Sequence, residues 1–79
     1  MTNFERAKNK IMRDSEDEIR RIIFEYGVGM VADEAALFMG SLSPEDAQKS
    51  QGKKTAETID KVMSLLAAAL GNIYETERT

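Results

Sequence analysis

Apolar side chains recur every three or four residues in two long stretches of this chain, which is the spacing of one face of an α-helix. In the first stretch the repeating positions are Phe4, Ala7, Ile11, Ile19, Ile22, Ile23 and Tyr26, with Ser15 in the same register. In the second stretch they are Ile59, Val62, Met63, Leu66, Leu70, Ile73 and Tyr74. The pattern predicts one amphipathic helix over residues 3–26 and another over residues 55–75.

The start of the first helix carries a capping signal. Thr2 and Glu5 have the spacing of a capping box, in which each side chain hydrogen-bonds a free backbone N–H of the first turn. Ser15 and Glu18 repeat this pattern inside the same stretch. The sequence therefore leaves open whether the first helix is continuous through Asp14 or bends there.

A short apolar segment is predicted to form a separate helix after the first long one. Gly27 follows the first predicted helix, at a position where glycine commonly ends a helix, and Gly40 has the same position after residues 30–39. Between them, residues 30–39 contain only Asp33 and Glu34 as clearly polar positions. A short helix that is apolar on most sides usually lies at the centre of a core or an interface.

The next segment begins with the strongest local signal in the chain. Ser43 is a good N-cap, and Pro44 is favoured at the first helical position. We expect a second short helix over residues 44–50. Residues 48–54 are wholly polar and contain Gly52, which predicts a loop or hinge near the end of this segment, and Thr55 is then expected to cap the last helix.

These elements predict an all-α fold in a single domain over residues 1–79: a small helical bundle of two long antiparallel helices with one or two short helices between them. A core of this size rarely supplies more than ~3–5 kcal/mol. The chain contains no cysteine and no histidine, so neither a disulfide nor a structural zinc site can add to that stability.

Burial between subunits is the remaining source of stability, so we expect a homodimer or a larger homo-oligomer. The contact is predicted to involve the apolar short helix and the last part of the final helix. The candidate interface residues are Val31, Leu37, Phe38, Met39, Leu66, Leu70, Ile73 and Tyr74.

The charge balance is acidic, with a formal net charge of −3 and an isoelectric point of about 4.9. Nucleic-acid-binding domains usually have a basic balance or a basic face, so we expect no nucleic-acid partner. The longest apolar run, residues 65–70, is far shorter than the ~20 residues that span a bilayer. The first residues have no apolar segment behind their charges, so we expect a cytoplasmic protein without a membrane partner.

Little in the composition supports catalysis. Without histidine, the chain lacks the side chain that titrates near neutral pH, and its serines have no histidine to activate them. We therefore predict no catalytic residues, no metal site and no cofactor. The favoured function is that of a small regulatory or adaptor protein that binds itself and another protein.

One alternative is a DNA-binding regulator. Ala36 and Gly40 have the spacing of the small residue and the turn glycine at the centre of a helix-turn-helix motif, and this segment resembles that motif. The resemblance implies DNA binding through the helix that follows the turn. That helix begins with Glu45 and Asp46, whose carboxylates repel the DNA backbone, and its lysines come later, within residues 49–54.

A second alternative is an enzyme. Glu57-x-x-Asp60 resembles one half of the magnesium-binding motif of the all-α nucleoside-triphosphate pyrophosphohydrolases. The resemblance implies Mg²⁺-dependent hydrolysis between facing helices. The Glu-x-x-Glu pair that this family needs on the other helix is missing, and Asp14-x-x-Asp17 is the nearest substitute.

Overall fold

A computed structural model describes residues 2–78 and shows two helices, α1 (Asn3–Phe38) and α2 (Pro44–Arg78). Residues late in α1 contact residues early in α2: the Tyr26 hydroxyl lies 2.8 Å from Thr55 Oγ1, and Ser50 Oγ donates to Asp33 Oδ2. The two helices are therefore antiparallel arms of one hairpin. The predicted all-α class is confirmed.

The hairpin is long and thin. Its principal extents are 57 × 17 × 9 Å, and its radius of gyration is 17.8 Å, whereas a compact domain of this length has a radius of gyration of roughly 12 Å. Two packed helices cannot enclose a core, and among residues 2–78 the buried apolar side chains are Ile22 and Ala47. Most of the apolar stripes stay in contact with solvent.

The predicted short helices are wrong as separate elements, because residues 30–38 are the last part of α1 and residues 44–50 are the first part of α2. Residues 30–39 do not form a helix of their own, since α1 passes through Gly27 and ends at Phe38. A glycine ends a helix by taking a positive φ, and among the described residues only Gly40 does so, with φ of 77°.

The open question at Asp14 is also settled, because α1 is continuous there. The Ser15 hydroxyl donates to the carbonyl oxygen of Ile11 at 2.7 Å, one turn back. It therefore acts as an internal helix residue and not as a cap. At the helix start, the Glu5 N–H donates to Thr2 Oγ1 at 3.1 Å, which confirms the predicted N-cap.

The second helix begins as predicted and then continues where a loop was expected. The Asp46 N–H donates to Ser43 Oγ at 3.1 Å, so Ser43 caps α2 and Pro44 occupies its first position. The prediction of a loop over residues 48–54 is wrong, and so is that of a cap at Thr55, whose hydroxyl donates to the Gln51 carbonyl at 2.8 Å.

The turn between the arms is a Schellman motif. The Ser41 N–H donates to the carbonyl of Ala36 at 2.9 Å, and the Gly40 N–H donates to the carbonyl of Leu37 at 3.1 Å. These bonds satisfy the free carbonyls at the end of α1, and the left-handed glycine reverses the chain toward Ser43. The turn fixes which faces of α1 and α2 meet.

Candidate protein-binding surfaces

The seam between the arms follows an eleven-residue repeat. Buried and half-buried positions step by three, four and four residues along both helices. In α1 the positions that follow this repeat are Phe4, Ala7, Ile11, Ser15, Glu18, Ile22, Tyr26, Gly29, Asp33 and Leu37; in α2 they are Ala47, Gln51, Lys54, Thr58, Val62, Leu65, Ala69, Ile73 and Thr76. Five further helical positions are half-buried but lie outside the repeat: Ile19, Met30, Ala36, Ser50 and Thr55. This period, about 3.67 residues per turn, is close to that of a straight α-helix, so the arms stay in contact along their length with little supercoiling.

The seam is polar in the half nearest the turn. Lys54 Nζ lies 2.8 Å from Asp33 Oδ2 and also donates to the Gly29 carbonyl at 3.2 Å, and Ser50 Oγ donates to the same Asp33 oxygen at 2.8 Å. These hydrogen bonds from Lys54 and Ser50 hold the pKa of the Asp33 carboxyl below its ordinary value. The carboxylate therefore stays ionised although Asp33 is buried.

In the other half, an apolar groove runs along one side of the seam, between the N-terminal part of α1 and the C-terminal part of α2. Its volume is about 1090 Å³. We call it the open-end groove; its apolar lining consists of Phe4, Met12, Ile19, Leu66, Leu70, Ile73 and Tyr74, and its charged lining of Lys8, Arg13, Glu16 and Glu77. Leu70 is 56% exposed and Tyr74 64% exposed, so nothing within the hairpin covers the groove.

A second apolar surface lies on the outside of α1. Phe24, Val28 and Val31 line a shallow apolar depression, and Phe38 follows one heptad after Val31. Because an α-helix turns about 100° per residue, these positions lie on the side of α1 that faces away from α2. We call the set Phe24, Val28, Val31, Ala35 and Phe38 the outer stripe; all five are exposed, Phe38 to 93%.

The eight residues predicted as one interface fall on different parts of the hairpin. Leu66, Leu70, Ile73 and Tyr74 line the open-end groove, and Val31 and Phe38 belong to the outer stripe. Leu37 is half-buried in the seam, and Met39 is exposed at the turn. A single chain does not bring the two groups together, because the turn-proximal end of α1 packs against the start of α2 and not against its end.

Sequence reasoning missed Phe24 and Val28 as surface residues. The available signal was the separation of seven residues between Phe24, Val31 and Phe38, which is a heptad and differs from the seam repeat. Phe24 does not belong to the apolar stripe that defines the first helix, so that stripe does not point to it.

A charged cleft lies on the other side of the seam. Arg21 forms ion pairs with Glu18 and, at 3.1 Å, with Glu25, and Asp60 and Lys61 complete the lining. The hydrogen bond from Arg21 lowers the pKa of Glu18, and the same bond raises the pKa of the arginine. The charged lining of the cleft thus consists of three acidic and two basic side chains, with Arg21 shared between Glu18 and Glu25.

The structure also shows the surroundings of residues that suggested DNA binding or Mg²⁺-dependent hydrolysis. Asp14 is paired with Lys10 at 3.0 Å, and no group of three acidic side chains within residues 2–78 is arranged to hold a metal ion. Ala36 and Gly40 belong to the Schellman turn between the two antiparallel helices, and Lys54 forms an ion pair with Asp33.

Comparison of the chain with protein families, with curated proteins and with solved structures gave no match. Neither helix, in the part of the chain that the structure describes, contains an apolar segment capable of crossing a membrane.

Proposed function

We propose that this chain is a small, non-enzymatic regulatory or adaptor protein of the cytoplasm that acts by binding helices of other protein molecules, beginning with a second copy of itself. The observation that carries the proposal is the uncovered open-end groove. It offers a continuous apolar surface at the place where a bundle would have its third and fourth helices.

The energetics of the hairpin support this function. Large exposed apolar side chains include Met63 and Leu70 on α2 and Met12 and Ile23 on α1. Burying a fully exposed side chain of this kind contributes roughly 1.5–3 kcal/mol, and because these four are a little more than half exposed, covering each contributes roughly half of that. Covering a few of them together is comparable with the stability that the core of so small a domain supplies. Apolar patches larger than a few hundred Å² mark interaction sites in soluble proteins.

The test is the mass in solution of the chain and of a Leu70→Asp variant, measured by light scattering across a dilution series. We expect the wild-type chain to be a dimer or larger and the variant to be a monomer, because the substitution places a carboxylate in the groove. Ser64→Asp is the matched control: it adds the same charge to the same helix, but on the charged side beside Lys61, and it should keep the wild-type mass.

Two results would contradict the proposal. One is a wild-type chain that is monomeric at every concentration and still fully helical. The other is a Leu70→Asp variant that retains the wild-type mass, which would show that the groove is not a contact surface.

A further inference from the structure

The outer stripe has the spacing of a coiled-coil surface. Its five positions step by four, three, four and three residues, whereas the seam to α2 follows the longer eleven-residue repeat. A heptad stripe of large and small apolar side chains is the surface with which one helix packs against others. Since α2 occupies the opposite side of α1, the stripe is available only to another molecule.

The open-end groove matches this stripe in length and in apolar character. The stripe covers residues 24–38, about 21 Å of helix, and the α1 side of the groove covers residues 4–19, about 22 Å. One surface is a row of Phe and Val side chains along the outside of a single helix, with only a shallow depression in it, and the other is a deeper channel between two helices. A helix bearing the stripe would lie in the channel as the third helix of a bundle.

The two surfaces also differ in charge in a complementary way. Residues 22–48 contain five acidic side chains and no lysine or arginine, and three of the five (Glu25, Asp33 and Glu45) are paired with basic side chains from outside this range. Within the stripe region, Glu34 follows Val31 by one helical turn; it hydrogen-bonds to Gln51 and forms no ion pair within residues 2–78. The end of α1, where the helix dipole is negative, has no basic residue in its last turn.

The groove, in contrast, borders on the basic start of α1. Residues 3–13 contain four basic side chains and one acidic side chain. Lys8 and Arg13 line the groove, and neither forms an ion pair within residues 2–78. Of the two acidic side chains in the lining, Glu16 is paired with Arg20, so the unpaired charges of the groove, within the described part of the chain, are two basic side chains and the acidic Glu77. An acidic apolar helix is therefore a better occupant of the groove than a basic one.

We propose that the occupant of the open-end groove is the outer stripe of a second copy, so that the hairpins associate head to tail. The inference rests on the proposed function, because it names the partner of the same groove. It also explains how apolar residues that lie far apart in one chain, such as Val31 and Leu70, belong to one interface. A head-to-tail contact is heterologous and generates either a ring or a growing chain of hairpins.

The test is a complementation experiment with two full-length variants. Leu70→Asp damages the groove and leaves the stripe intact, whereas Val31→Asp damages the stripe and leaves the groove intact. Both positions are more than half exposed, so neither change disturbs the seam. Each variant is measured alone and in an equimolar mixture by light scattering, with a charge-neutral affinity tag on one of them to identify mixed complexes.

Head-to-tail association predicts that each variant alone is monomeric and that the mixture forms a discrete complex with one copy of each. The complex stops at two subunits because its free groove and its free stripe are both the damaged ones. The wild-type chain should form a ring of fixed mass or a distribution that grows with concentration. Ala32→Asp, next to the stripe on α1, is the matched control and should behave like the wild type.

Other contacts give different results and would overturn the inference. If two grooves pair with each other, Val31→Asp alone remains a dimer and the mixture contains no tagged heterodimer, which leaves the proposed function standing. If two stripes pair, Leu70→Asp alone remains a dimer, which contradicts the proposed function as well. If a charged variant loses its helicity by circular dichroism, Phe24→Ala and Tyr74→Ala replace the pair, since they remove contact area without adding charge.

Discussion

Asp33 is the residue on which the polar half of the seam depends. Its carboxylate accepts hydrogen bonds from Lys54 and Ser50, and these bonds, together with the Lys54 charge, offset the cost of burying it. A shift of α2 along α1 would separate the carboxylate from both partners. The network therefore fixes the register of the hairpin more sharply than the small apolar contacts around it.

Lowering the pH should reduce the stability of the hairpin, because Asp33 becomes protonated. The hydrogen bonds from Lys54 and Ser50 lower the pKa of Asp33 in the folded chain, so the folded state favours the ionised form. The stabilising contribution is complete above the unfolded pKa of about 3.9 and is lost as the pH falls through the lower folded value. Urea unfolding of the wild type and of Asp33→Asn should differ at neutral pH and converge toward low pH.

If the difference in the free energy of unfolding between the wild type and Asp33→Asn stays constant down to low pH, this role for Asp33 is contradicted. Asp14→Asn is the control, because Asp14 forms only an exposed ion pair with Lys10. Its effect on the unfolding midpoint should be small at every pH.

At the scale of the elements, Gly40 and Gly52, on either side of Ser43, affect the stability of the hairpin in opposite ways. Gly40 has a φ of 77° and forms the Schellman turn, whereas Gly52 lies inside α2. A Cβ atom added at Gly52 would meet no atom within 4 Å beyond its chain neighbours and the adjacent backbone of its own helix. The first glycine is required by its backbone conformation, and the second only costs conformational entropy.

We expect Gly40→Ala to destabilise the hairpin by about 1–2 kcal/mol, because a side chain is unfavourable in the left-handed region. Gly52→Ala should stabilise it by about 0.5–1 kcal/mol, because alanine is the better helix former. Both values follow from urea titrations monitored by circular dichroism. Equal effects of the two substitutions would mean that the turn does not depend on the left-handed glycine.

These elements also show what the sequence could and could not reveal. The long amphipathic stretches, the caps at Thr2 and Ser43 and the break at Gly40 were predictable, because each depends on neighbouring residues. The continuity of α2 through residues 48–54 was not predictable, because it depends on polar contacts of Ser50, Gln51 and Lys54 with α1. Apolar periodicity cannot detect such a polar seam.

The same limit applies to the candidate surfaces. The stripe predicts Leu66, Leu70, Ile73 and Tyr74 as contact residues; in the structure they line the groove, and their contact with another molecule stays a prediction. Only Val31 and Phe38 of the outer stripe were predicted as contact residues. Recognising the whole stripe as an exposed surface requires knowing which side of α1 faces α2. That information comes from the turn geometry and from contacts between residues far apart in the chain.

At the scale of the whole molecule, the hairpin is 57 Å long and 9 Å thick, so it buries very few side chains. It exposes two apolar surfaces, the open-end groove and the outer stripe. Two helices with few buried side chains are marginally stable by themselves, so the stability of the chain should be linked to its association. Any contact that covers the open-end groove then acts as a ligand of the folded state. Folding and assembly become one equilibrium.

This linkage predicts that the melting temperature of the wild-type chain rises with protein concentration. A partner present at about a hundred times its dissociation constant adds roughly 2.7 kcal/mol, which corresponds to about 10–20 °C for a domain of this size. Leu70→Asp should melt at a lower temperature that does not change with concentration, because its groove cannot be covered. Thermal melts followed by circular dichroism over a wide concentration range provide the measurement, with Ser64→Asp as the control that retains the concentration dependence. A wild-type melting temperature that is independent of concentration would show that the hairpin is stable without a second copy, and its exposed groove would then have to be explained by a different protein.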